Sequence, residues 1–311
     1  MKKFYAACFA MVLCTTTSQP VAAQGFTLDE ANVRVRGSVG TSARVADQSS
    51  DVASTDLLVG PTIAALGRLQ WRNADRDQLS LEADLTTQAF PSSPDINDLT
   101  ASVFGEYRTN LERIDNAQLR LRLGVERNSR FPEERFIRYT AQTALNLRAS
   151  GGPSATYILR YRYRDQNEGN SFDGFDQNEI FGSARYAWSF RNRALNQIAF
   201  TPFFDIRDAE ADNFDYTEVG ARLQARYAVN DDLNLIGRAR YYTRNYEDIF
   251  SAAFPLERED QRFTVEAELR KDVSEAGSLF AAVGWDNNTS NIAVRDFDGT
   301  TFRVGFEFTL P

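Results

Sequence analysis

In Thr300–Pro311 the apolar residues fall on every second position: Phe302, Val304, Phe306, Phe308 and Leu310 alternate with Thr301, Arg303, Gly305, Glu307 and Thr309. Successive side chains of a β-strand point to opposite faces, so this spacing predicts a strand with one apolar and one polar face. Its length suits a tilted crossing of a bilayer. The same two-residue period recurs along the chain. Leu79, Leu81, Ala83 and Leu85 oppose Ser80, Glu82, Asp84 and Thr86; Leu119, Leu121, Leu123 and Val125 oppose Arg120, Arg122 and Glu126; Tyr157, Leu159, Tyr161 and Tyr163 oppose Arg160, Arg162 and Arg164. The pattern predicts about fourteen strands, near 31–43, 62–72, 78–88, 99–109, 117–127, 135–148, 155–165, 179–190, 195–206, 216–228, 233–244, 261–271, 279–286 and 300–310. No segment carries a convincing helical period.

The predicted connections alternate in length. Those at 73–77, 110–116, 149–154, 191–194, 230–232 and 272–278 are short; those at 44–61, 89–98, 128–134, 166–178, 207–215, 245–260 and 287–299 are longer. An even number of antiparallel strands with short turns at one end and long loops at the other is the pattern of bacterial outer-membrane barrels. The expected fold is therefore all-β: a single closed antiparallel transmembrane β-barrel over 31–311, with short periplasmic turns and long extracellular loops. The apolar-face aromatics sort the same way. Trp71, Tyr107, Trp188, Tyr227 and Phe308 fall at the periplasmic level, whereas Tyr139, Tyr163, Tyr241, Phe263, Trp285 and Phe302 fall at the outer level. Two belts of amphipathic rings match two membrane interfaces. The alternative is a secreted soluble β-protein with regularly spaced strands.

Composition adds a compartment. Met1-Lys2-Lys3, the apolar Phe4–Leu13 and the small residues Val21-Ala22-Ala23 read as a secretory signal peptide over 1–23, followed by a short periplasmic leader at 24–30. Both cysteines, Cys8 and Cys14, lie in that signal, so no disulfide or thiolate chemistry is expected beyond it. Removing Lys2 and Lys3 from the 35 basic residues leaves 33 against 43 acidic ones, a net charge of −10, and Lys271 is then the only lysine. The mean hydropathy of −0.43 fits lipid-facing and lumen-facing residues that average out along each strand.

If the apolar faces meet lipid, the arginines must point inward, because an arginine facing lipid at the midplane costs about 2–4 kcal/mol. The predicted pore-lining set is Arg120, Arg122, Arg138, Arg160, Arg162, Arg164, Arg222, Arg238, Arg240 and Arg262, with Glu82, Glu106, Glu218 and Glu266. Such a wall can attract small anionic solutes or acidic oligosaccharides. It can equally be a salt-bridged structural network, with Glu218, Glu266 and Glu268 opposite Arg222, Arg238 and Arg262. The expected loops are acidic, as at Asp208, Glu210, Asp212 and Asp215, and read as a solvated rim bridged by divalent ions to lipopolysaccharide. The 245–260 segment, with Ile249, Phe250, Phe254 and Leu256, is the candidate for a loop folding inward to constrict the lumen.

The chain contains no histidine, which removes Ser-His-Asp catalysis and the usual metal ligands other than carboxylates. No phosphate-binding glycine loop and no basic nucleic-acid stripe is present. No catalytic site, cofactor or metal is expected, and no nucleic-acid partner. The size resembles that of monomeric fourteen-strand porins, and the arginine-rich lumen that of smaller porins for acidic oligosaccharides. Asn287-Asn288-Thr289-Ser290-Asn291-Ile292, Asp296-Phe297-Asp298-Gly299 and Phe302–Phe308 resemble the last loop and strand of two further groups. These are the β-barrel porins found with exopolysaccharide genes and the barrel half of surface lipoprotein assembly modifiers. Here Leu310-Pro311 replaces the usual terminal aromatic. The resemblance implies a passive channel or, in the two further groups, an export or assembly barrel. A plugged barrel acting through its surface is a third reading. Lipid, lipopolysaccharide and, through the C-terminal strand, the barrel-assembly machinery are the expected partners.

Overall fold

The structure, a computed structural model, describes residues 25–42, 58–92, 97–111, 114, 116–130, 133–148, 152–167, 175–190 and 194–311. The signal peptide expected at 1–23 lies outside these residues. Fourteen strands follow one another along the chain: β1 (Thr27–Ser42), β2 (Leu58–Arg72), β3 (Gln78–Gln88), β4 (Asp98–Asn110), β5 (Ala117–Arg130), β6 (Glu133–Arg148), β7 (Ser154–Gln166), β8 (Gln177–Ser189), β9 (Leu195–Ala209), β10 (Tyr216–Ala228), β11 (Leu233–Ser251), β12 (Phe254–Asp272), β13 (Gly277–Ser290) and β14 (Phe297–Leu310). Each is antiparallel to the next, and β14 closes on β1 through Val33↔Leu310, Val35↔Phe308 and Val39↔Val304. Closure pairs every strand on both sides and leaves no open edge.

The two-residue period sets the two faces. Apolar side chains of one phase project outward and stay exposed, among them Leu123 at 67%, Leu159 at 59% and Val283 at 55%. A core of a soluble protein would have covered them. Side chains of the other phase converge on the concave side, where strands that are not neighbours can touch: Arg122 of β5 reaches Glu82 of β3, and Arg270 of β12 reaches Glu307 of β14.

At the end where β1 begins and β14 finishes, the β2–β3 turn shows how local chemistry fixes a connection. Asn73 accepts the Asp77 N–H through its side-chain oxygen at 2.8 Å, Asn73 N–H donates to the Asp77 carbonyl at 3.1 Å, and Arg76 takes a positive φ of 66°. Hydrogen bonds from Thr109, Tyr107 and Asn73 hold the Asp77 carboxyl below its ordinary pKa. The Tyr107 hydroxyl makes its bond at 2.9 Å, tying an outer-face ring to the turn.

Three expectations are corrected. Thr27–Glu30, expected in a leader, belong to β1, where Thr27 pairs Arg72 and Glu30 pairs Gln70. The expected loop at 128–134 is mostly strand, since β5 runs to Arg130 and β6 starts at Glu133. The expected constricting loop at 245–260 is a hairpin: β11 and β12 are 19 residues each and meet across a turn between Ser251 and Phe254. Its Phe250 is buried, whereas Ile249 and Leu256 are exposed. Register wins there over the polar composition that suggested a loop, because Arg244↔Asp260 and Asn245↔Glu259 continue the ladder. The hairpin then packs on the β13–β14 connection: Ile292 is wholly buried, Arg295 lies 5.1 Å from the Phe250 ring, and Asn291 bonds both Glu257 O and Glu259 N–H at 2.8 Å.

Close approach of the backbone requires glycine at position 60. At Gly60 of β2 a Cβ would lie 1.9 Å from the Ala89 carbonyl oxygen and 3.0 Å from the Phe90 ring. Phe90 is buried there, and its N–H donates to the Asn97 side chain at 2.6 Å. Because the obstacle is backbone, Gly60→Ala is expected to destabilise the barrel by about 1–3 kcal/mol. The readout is a lowered temperature at which the folded band loses its mobility in detergent gels.

Candidate functional site: the inner wall

The predicted pore-lining residues all lie on the inward phase, and most are drawn into shared ion-pair clusters. In the first cluster, Glu82 of β3 meets Arg122 at 2.8 Å and Arg68 at 3.7 Å. Glu106 of β4 meets Arg108, and also Arg120 and Arg122 at 3.7 Å each. In the second, Glu179 of β8 meets Arg160 at 2.9 Å, Arg162 at 3.3 Å and Arg207 at 3.5 Å. Between them Glu126 holds Arg138 at 2.5 Å. In the third, Glu218 of β10 meets Arg240 at 2.7 Å and Arg244 at 2.5 Å. In the fourth, Glu266 meets Arg238 at 2.7 Å and Arg303 at 3.1 Å. Beside it Glu268 meets Arg270 at 3.0 Å and Arg238 at 3.1 Å, with Arg36 and Arg303 at 3.9 Å.

The pairing expected for two arginines is corrected. Arg262 binds Asp286 at 2.5 Å, not Glu266 or Glu268, because its register neighbour across β13 is Asn288 and its guanidinium reaches the next inward residue. Arg222 has no carboxylate of the described residues within 4 Å. Its partners across the ladders are Thr201 and Arg240, and its guanidinium lies 4.8 Å from the Phe203 ring.

That contact belongs to a feature that the alternation did not reveal. The inner face carries aromatic rings under its arginines: Arg122 lies 4.2 Å from Phe104, Arg160 4.4 Å from Phe181, Arg164 4.0 Å from Phe136, Arg244 4.2 Å from Tyr216 and Arg36 4.4 Å from Phe280. Phe181, Phe203 and Tyr242 form a buried cluster within the barrel. A ring face attracts a cation by its quadrupole and contributes about 0.5–2 kcal/mol without cancelling the charge. Glu179, Arg185 and Arg207 are inward residues that the sequence did not single out either. In β8 an inward Phe181 sits between Glu179 and Ser183, which blurs the apolar–polar alternation. The outward Ile180 and Trp188 carry the phase that would have revealed it.

The predicted girdle residues Trp71, Tyr107, Tyr163, Trp188, Tyr227, Tyr241, Trp285 and Phe302 all lie on the outward phase. Several adjoin one another. Tyr163 stacks on Tyr139 with centroids 6.4 Å apart, Phe263 lies 6.1 Å from Trp285 and pairs Tyr241 across the ladder, and Trp71 and Tyr107 flank Leu79 in register.

No protein-family model and no curated protein matches the chain. Among solved structures it is similar to a loop L8 deletion mutant of OmpT, an outer membrane protein of Vibrio cholerae. The TM-score is 0.52 and the identity 11%, over 92% of this chain and 100% of that one. The trimer form of in-vitro folded OmpT gives a TM-score of 0.50 at 10% identity, over 92% and 100% of the two chains. The chain has the fold of a bacterial outer-membrane β-barrel. The exposed apolar belt of this barrel agrees with that placement, since only lipid leaves so continuous an apolar surface without a penalty.

Proposed function

We propose that the barrel is an outer-membrane channel for passive diffusion of small solutes, with anions favoured. The observation that carries this reading is the uneven stoichiometry of the inner wall. The first cluster sets Arg68, Arg108, Arg120 and Arg122 against Glu82 and Glu106, the second Arg160, Arg162 and Arg207 against Glu179, and the third Arg240 and Arg244 against Glu218, so arginines outnumber carboxylates in each. The ion pairs hold the guanidiniums in place, and the excess leaves the wall positive. A positive wall raises the local concentration of anions and replaces part of their lost hydration. No catalytic role is assigned. The continuous apolar row Phe302, Val304, Phe306, Phe308 and Leu310 on β14 supports presentation of that strand to the barrel-assembly machinery.

Single-channel recording of the refolded protein in a planar bilayer with a salt gradient tests the reading. A steady conductance with the reversal potential displaced to the anion side is expected. Replacing Arg120, Arg122, Arg160 and Arg162 together by Gln should move that potential toward zero. A correctly folded barrel that conducts nothing would overturn the channel.

A further inference from the structure

The ion-pair clusters do not cover the wall evenly. On β6–β10 a recess of about 320 Å³ is lined by Gln142, Ile158, Arg160, Phe181, Ser183, Arg185, Ala199, Thr201, Arg222 and Gln224. It contains three arginines and no carboxylate. Arg160 is committed to Glu179 at 2.9 Å, although its buried Nε–H donates to no acceptor among the described residues. Arg185 and Arg222 have no carboxylate of the described residues within 4 Å. Arg222 is instead held by aromatic rings, 4.8 Å from Phe203 and 5.9 Å from Phe181, and these two rings stack with centroids 6.0 Å apart. A ring orients a guanidinium but leaves its charge and its donors available.

We propose that Arg185 and Arg222, with Gln142, Ser183, Thr201 and Gln224, form a subsite on the inner wall for a small hydroxylated carboxylate. The two guanidiniums supply fork donors that match a carboxylate. The two amides and two hydroxyls both donate and accept, which suits neutral hydroxyls on the rest of the solute. Phe181, Ile158 and Ala199 give an apolar floor for its carbon skeleton. The volume falls at the small end of ligand pockets, about 300–1,000 Å³. The subsite rests on the reading of the lumen as a solute path, since a transported anion needs a place to replace its water before moving on.

Equilibrium dialysis of the detergent-folded barrel against radiolabelled gluconate, paired with bilayer recording, tests the proposal. Saturable binding is expected, unaffected by an equal concentration of glucose, which has the hydroxyls but no charge. Arg222→Gln and Arg185→Gln should each weaken it about tenfold, in line with the loss of a charge-assisted hydrogen bond. Lys271→Gln, which removes one positive charge elsewhere, should leave it unchanged. Heat-modifiable gel mobility establishes that each variant is folded, and either arginine variant suffices if the other does not fold. Absence of saturable binding overturns the subsite. So does retention that depends only on ionic strength and falls no further in the arginine variants than in Lys271→Gln. Conductance without saturable binding leaves the channel and removes the subsite; saturable binding without conductance removes the channel and keeps the subsite.

Discussion

Leu123→Arg is expected to destabilise the barrel by about 2–4 kcal/mol in a lipid bilayer, the cost of a basic side chain facing hydrocarbon at midplane. Leu123 sits in the middle of β5, pairs Gly105 and Ala141, and is 67% exposed. On a water-facing surface a change at so exposed a position would stay within about ±0.5 kcal/mol. The experiment therefore measures the solvent that the outer face meets. Urea unfolding from lipid vesicles supplies the value, and Lys271→Gln at the end of β12 supplies a rim comparison. An unchanged midpoint for Leu123→Arg would mean that water, not lipid, covers that face.

Glu268→Gln is expected to cost about 3 kcal/mol, the lower end of the range for removing one partner of a buried ion pair. Its carboxylate is fully buried and lies between Arg238 and Arg270, with Arg36 and Arg303 just beyond. Without that charge the four guanidiniums repel one another across β1, β11, β12 and β14. The lower end applies because those arginines remain 19–38% exposed and can draw water. The same substitution should displace the reversal potential further to the anion side, since it removes a negative charge from the wall. Glu275→Gln, in the exposed β12–β13 turn, should change neither quantity measurably. Unfolding in urea and bilayer recording read the two effects separately. Loss of less than about 1 kcal/mol would place Glu268 with ordinary solvent-screened pairs.

The alternation of residues determined most of the fold. In β5 and β14 each step of one residue moves a side chain to the opposite face. Leu121, Leu123 and Val125 on β5, and Val304, Phe306 and Phe308 on β14, can therefore point only one way once lipid meets one side. The inward phase of Arg120, Arg160 and Arg238 and the outward phase of Trp71, Tyr163 and Trp285 follow from that period alone, whereas closure at fourteen strands is a property of the folded sheet. The reason is physical: a two-residue period is local, and the bilayer penalises every residue that breaks it.

The tertiary structure decided what the inward residues meet. Arg262 turning to Asp286, Arg222 resting on Phe203 and four arginines converging on Glu268 depend on registers and curvature between strands far apart in sequence. The β11–β12 hairpin was hidden for a related reason. Above the membrane nothing enforces the apolar–polar alternation, so Asn245–Asp260 reads as loop, yet the ladder continues because its backbone partners are already aligned. Sequence spacing records the face on which a side chain lies; closure of the sheet selects its partner and leaves Arg185 and Arg222 with no carboxylate of the described residues within 4 Å.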